Sequence, residues 1–163
     1  MRVAAALVCG LFMLAASPVL AQEAGNAGRG PNMEILKEKL KADKKLLVAE
    51  NMVLTDAEAK AFWPLYDAYQ TDLNQLDDRL GKVISDYASA YNEGKGMITN
   101  DTAQKLLTEA LAIDEAEVKL KRSSAEKVGK VLPATKTARY IQMESKIRAL
   151  IKFELASNIP LVY

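Results

Sequence analysis

The sequence predicts an all-α fold: a long antiparallel helical hairpin with shorter flanking helices, about four helices in all. Three observations carry this. Apolar residues recur at alternating spacings of three and four along most of the chain. No stretch shows the strict alternation of a half-buried strand. A capping box and a two-glycine turn fall where long helices should start and reverse.

Residues 1–21 read as a secretory signal peptide. Met1 and Arg2 give a short positive start, Val3 to Ala16 is almost wholly apolar, and Val19 and Ala21 sit where a signal peptidase reads small residues. The apolar run falls short of the roughly 20 residues of a membrane span. The expected localisation is therefore periplasmic, with a mature chain starting at Gln22. Cys9, the only cysteine, lies within the leader, so no disulfide is expected. Residues 22–31, rich in Gly, Ala and Asn, read as a flexible linker. Residues 32–158 are the helical domain and residues 159–163 a C-terminal tail.

The first helix is expected over Asn32 to Ala49, capped by Asn32, with Met33, Leu36, Leu40 and Leu47 as its apolar face. Lys37, Lys39, Lys41, Lys44 and Lys45 read as its solvated face. The next segment, Leu54 to Tyr91, opens on Thr55-Asp56-Ala57-Glu58, a capping box whose acids also suit the helix dipole. Phe62, Tyr66, Tyr69, Leu73, Leu76, Leu80, Val83 and Tyr87 then form an unbroken heptad-type seam. Pro64 is expected to kink this helix or end its first turns.

Asn92 to Met97 is the turn, and Thr99 or Asp101 caps the third helix, expected to run to about Val131. Its apolar face is read as Leu107, Leu111, Val118, Ala125, Val128 and Leu132, interrupted by Asp114 and Lys121 and widened by Leu106, Ala110, Ile113 and Leu120. Glu115–Lys119 and Glu117–Lys121 are spaced as i,i+4 ion pairs. Pro133 suits the first position of a last helix, Ala134 to about Ala156. There Tyr140, Met143, Ile147, Leu150 and Ile151 are read as inward, and Glu144–Arg148 as another i,i+4 pair.

The chain has no histidine. With Cys9 removed, the neutral-pH proton shuttle, the thiol nucleophile and the soft metal ligands are all missing. No nucleophile–base pair, phosphate loop or dinucleotide fingerprint appears. The chain is thus read as not an enzyme, without cofactor or metal site. Asp77 and Asp78 are neighbours that point about 100° apart on a helix. Asp114 and Glu117, one turn apart, either flank an ion or meet a lysine across the hairpin. The formal charge of +1 falls to zero once Arg2 leaves, which gives no basic excess for a nucleic acid.

The candidate partner-binding residues are aromatic. Phe62, Trp63, Tyr66 and Tyr69 have two readings, core or interface. Trp63 lies off the seam and either meets a flanking helix or is exposed. Tyr87, Tyr91 and Met97 form a second candidate patch near the turn. Leu161-Val162-Tyr163 reads either as a docked or frayed end or as a peptide tail for a partner.

Leu54-Thr55-Asp56-Ala57-Glu58 resembles the LTxxQ motif of the Spy and CpxP periplasmic stress proteins. Val131-Leu132-Pro133-Ala134-Thr135-Lys136, followed by Arg139, Gln142, Glu144 and Lys146, looks like that family's second copy, without its Thr and Gln. The motif residues of interest are therefore Leu54, Thr55, Glu58, Leu132 and Pro133. The resemblance implies a cradle-shaped homodimer. Likeness to Spy implies an ATP-independent chaperone for unfolded or partly folded periplasmic proteins. Likeness to CpxP implies a regulatory adaptor on the sensor domain of a membrane signalling protein. A purely structural coiled-coil dimer is the third reading.

Overall fold

The computed structural model describes the backbone of residues 31–162 and the side chains of residues 42–162. The expected leader and nearly all of the expected linker lie outside the described residues, as do the side chains of Met33, Leu36, Lys37, Lys39, Leu40 and Lys41. Four helices follow one another: α1 Pro31–Met52, α2 Asp56–Glu93, α3 Asn100–Val128 and α4 Ala134–Asn158. No strand occurs among the described residues, and none of their helices is long and apolar enough to cross a membrane.

The capping box forms as the sequence requires. The amide of Glu58 donates to Thr55 Oγ1 at 3.3 Å, and the Thr55 amide donates to Glu58 Oε2 at 2.8 Å. This satisfies two of the donors that a helix start leaves orphaned. From there α2 continues for 38 residues, about 57 Å at 1.5 Å per residue. It is helical straight through Pro64, so the proline ends nothing.

The reversal into α3 depends on its two glycines. A Cβ on Gly94 would lie 1.8 Å from the Met97 carbonyl oxygen, and Gly96 has φ +95°. Thr99, rather than Asp101, caps α3 by accepting from the Thr102 amide. α3 stops at Val128, and Pro133 stands just before α4 as its cap residue instead of inside it. At the other end of the chain, Pro31 takes the opening position of α1, one residue ahead of Asn32.

Cross-helix bonds fix the packing directions. Arg79–Glu109 joins α2 to α3 in antiparallel order. Lys136–Glu58, Gln70–Glu144 and Arg148–Asp77 climb α2 and α4 together, so those two run parallel. The C-terminal half of α1 runs against α2 through Lys44–Gln70 and Lys45–Asp67.

The core lies where α2, α3, α4 and the end of α1 meet. Val48, Met52, Phe62, Tyr66, Tyr69, Leu73, Val128, Leu132 and Tyr140 are buried in it as one cluster. Tyr140 is its hub, with ring centroids 5.0 Å from Phe62, 6.2 Å from Tyr66 and 6.3 Å from Tyr69. Such tilted and edge-on pairs add about 0.5–1.5 kcal/mol each beyond area burial. The expected α2 seam faces inward throughout; Leu80 and Val83 are its half-buried members.

Three helix faces differ from the expectation. On α1, Val48 is buried and Leu47 is turned out. On α3, Leu107, Leu111 and Val118 are exposed, whereas Ile113 and Val128 face in as expected, joined by Glu117 and Ser124. On α4, Leu150 and Ile151 point outward; Tyr140 is buried and Met143 and Ile147 half-buried as expected, but Glu144 and Arg148 are buried beside them, and the exposed Lys152 continues their row at the rim. The cause is shared by α3 and α4. Ion-paired side chains share the inward face with the buried apolar ones, and helical spacing of about 100° per residue then leaves neighbouring leucines outside it.

Candidate binding surface

The polar row on α4 is committed to structure at every step. Glu144, nearly fully buried, accepts from Gln70 at 2.9 Å and pairs with Lys44 at 2.8 Å. Arg148 Nε donates to Glu117 Oε2 at 3.0 Å, and its Nη1 donates to Asp77. Lys152 reaches Asp114 at 2.9 Å and Glu117 at 3.2 Å. The expected i,i+4 pairs Glu144–Arg148 and Glu117–Lys121 are thus replaced by bonds between helices. Each acid finds a cation on another element, which brings more partners together inside the bundle than one helix face offers. Glu115–Lys119 does form, loosely, at 3.9 Å on the surface.

Burial pushes the Glu117 carboxyl up. The bonds from Arg148 and Lys152 outweigh that, and the carboxyl ends below its ordinary value. Burial likewise pushes Arg148 and Lys152 down, and their carboxylate partners more than restore them, leaving both raised. Burial raises the phenols of Tyr66, Tyr69 and Tyr140, helped by the nearby Glu144 charge. These tyrosines stay neutral across the physiological range. Among the described residues no group of three or more His, Cys, Asp or Glu side chains is placed to hold a metal ion.

The aromatic candidates separate into two settings. Phe62, Tyr66 and Tyr69 lie in the core. Trp63 is half-buried beside them and meets α1, with Lys45 Nζ 5.3 Å from its ring centre, a cation–π contact. Lys44 and Lys45 therefore leave the solvated lysine face and bond α2 and α4. Tyr87 is buried near the turn, its ring 5.7 Å from that of half-buried Tyr91, and Met97 is exposed. The Tyr87 hydroxyl donates toward the carbonyls of Pro160 and Leu161 at 3.1 and 3.2 Å. The residues after α4 are thus docked on α2.

The two motif segments meet. Lys136, at the start of α4, donates to Glu58 Oε2 at 2.6 Å, and this bond draws the Glu58 carboxyl below its ordinary value, assisted by the Thr55 amide. Leu54 packs against the core and Leu132 is part of it. Pro133 offers no side-chain cap to α4. These residues anchor one end of the bundle.

Among the residues open to solvent are several large apolar side chains. On α3, Leu107, Leu111 and Val118 are 56%, 55% and 60% exposed, and their spacing of four and seven places them in one stripe. The stripe surrounds Asp114, whose carboxylate is held by Lys152, so it borders α4. On α4, Phe153 directly follows Lys152 and is 70% exposed, and Leu150 lies three residues earlier at 71%. Sequence reasoning named these leucines but placed them inside. No local signal marks them, because Glu117 and Arg148 pair across 31 residues.

Comparison with known proteins finds no family model, no curated protein and no solved structure that matches the chain.

Proposed function

We propose that this is a periplasmic, chaperone-like binding protein that holds partly unfolded protein segments on an amphipathic helical surface without using nucleotide. One observation carries the reading. The fold buries Glu117, Glu144 and Arg148 while leaving Leu107, Leu111, Val118, Leu150 and Phe153 exposed. Replacing a buried ion pair by apolar residues is often neutral or stabilising, so this arrangement does not maximise stability. The α3 residues Leu107, Leu111 and Val118 share one exposed stripe, and an exposed apolar stripe marks a site of interaction.

The charges beside the stripe, Asp114 with Lys152 and Glu115 with Lys119, keep it soluble and suit weak, rapidly reversible capture. The resemblance of Leu54 to Glu58 and of Val131 to Lys136 to the paired motifs of the Spy and CpxP proteins supports the same reading, with a homodimer as its assembly. The signal-like residues 1–21 support the compartment.

The test is light scattering from a chemically denatured protein diluted into buffer. The native chain should suppress aggregation at low molar ratio. A Leu107→Ser, Leu111→Ser, Val118→Ser variant should lose most of that effect while keeping its helical circular dichroism, because all three side chains are already exposed. Absence of suppression by the native chain at several-fold excess contradicts the proposal.

A further inference from the structure

The end of α2 offers a second, separate binding feature, and its occupant is visible. After α4, the chain turns extended at Ile159 (φ −100°, ψ 118°) and runs past Tyr87. The Tyr87 hydroxyl faces two successive backbone carbonyls, Pro160 and Leu161, and shares one proton between them. The side chains of Leu161 and Val162 contribute little, being 75% and 57% exposed. Tyr87 holds the segment by its backbone carbonyls, and of residues 159–162 only Ile159 is half-buried.

We propose that the Tyr87–Tyr91 end of α2 is a binding site for extended apolar peptide segments, and that residues 159–162 are a displaceable internal occupant of it. This rests on the reading of the protein as a holder of unfolded segments and names what this end of it recognises. Recognition through backbone carbonyls is indifferent to side-chain identity, which suits many different segments. Tyr and Met beside the site add adaptable apolar contact: Tyr91 packs on Tyr87, and Met97 stands exposed across the turn. An occupant that leaves its leucine and valine in water is weakly held. A longer apolar segment able to bury its side chains on the same ledge outcompetes it. Occupation by the chain's own residues also keeps this ledge from capturing folded neighbours when no unfolded segment is present.

The experiment uses a fluorescent peptide with the sequence of residues 158–163, amidated at its end, and follows its anisotropy. The full chain should bind it weakly, and a variant ending at Asn158 at least tenfold more tightly. Adding Tyr87→Phe to that variant keeps the ring and should remove most of the gain. A reduced, carboxymethylated unfolded protein should displace the peptide. Equal peptide affinity for the full chain and the shortened variant overturns the proposal. So does a full-chain dimer that dissociates on loss of residues 159–163, because those residues then serve exchange between copies. Light scattering by the same variants separates the two readings. Suppression of aggregation without peptide binding leaves the chaperone reading standing and this site refuted. Peptide binding without suppression leaves the site standing and the chaperone reading refuted.

Discussion

Arg148 of α4 and Glu117 of α3 meet in the interior, 7% and 5% exposed, with Nε donating to Oε2 at 3.0 Å. Nη2 lies equally close to the same oxygen, in an ionic contact without hydrogen-bond alignment. Together with buried Ile113, Ser124 and Val128, the pair holds this face of α3 inward, with Leu107, Leu111 and Val118 in solvent.

Breaking the pair from one side should be costly. Arg148→Met leaves the Glu117 carboxylate buried with only Lys152 near it, and should cost about 3 kcal/mol of stability. Replacing both partners, Glu117→Leu with Arg148→Met, should recover most of that loss. Urea unfolding of the three proteins checks both expectations. A double variant no more stable than the single one contradicts them.

Stability should fall in acid through the same residue. The folded state holds the Glu117 carboxyl below its ordinary 4.5, against the opposing effect of burial. Its ionised form therefore stabilises the fold fully above about pH 4.5, and the contribution disappears as pH drops through the folded value. Glu58, lowered by Lys136, acts in the same direction. Urea midpoints measured from pH 7 to pH 3 should decline, and Glu117→Gln should flatten the decline. An unchanged slope in that variant assigns the acid sensitivity elsewhere.

Val53 is strained. It joins α1 to α2 with φ +46°, a left-handed conformation that a β-branched residue rarely adopts, and its side chain is 72% exposed. No packing is lost by changing it. Val53→Asn should stabilise the protein by about 1 kcal/mol, since the left-handed region costs an ordinary residue roughly that much. Val53→Ala keeps the Cβ and should gain less. Thermal unfolding of the two variants decides the order.

Tyr140 separates packing from hydrogen bonding. Its ring is the hub of the aromatic core, yet its hydroxyl and the buried Ser124 Oγ have no hydrogen bond of normal geometry. Tyr140→Ala should cost about 3–5 kcal/mol. Tyr140→Phe with Ser124→Ala removes both buried hydroxyls and should be close to neutral, or stabilising by up to about 1 kcal/mol. A large loss in that double variant shows that the hydroxyls are satisfied in solution.

The all-α class, the hairpin, its turn and the whole inward seam of α2 were legible in the sequence, because each depends on local spacing, capping or glycine geometry. The Thr55–Glu58 box and Gly94–Gly96 are local events within a few residues. The inward faces of α3 and α4 were legible only in part: Ile113, Val128 and Tyr140 were read as inward and are buried, but the buried charges beside them were not foreseen. Periodicity finds apolar stripes, but the partners of Glu117, Glu144 and Arg148 lie 31 to 100 residues away along the chain, and nothing local says that these charges turn in. The candidate surface followed the same logic. Tyr87 was legible as a candidate, whereas its bond to the residues after α4 joins positions 73 and 74 apart.

The measurement that bears most directly on the α3 stripe is site-specific photo-crosslinking to an unfolded client. A photoreactive phenylalanine analogue at position 111 should capture a reduced, carboxymethylated protein efficiently, and the same analogue at exposed Gln75 on α2 should capture little. Equal capture at the two positions, or none at 111, contradicts the assignment of the Leu107–Val118 face as the surface that holds unfolded chains.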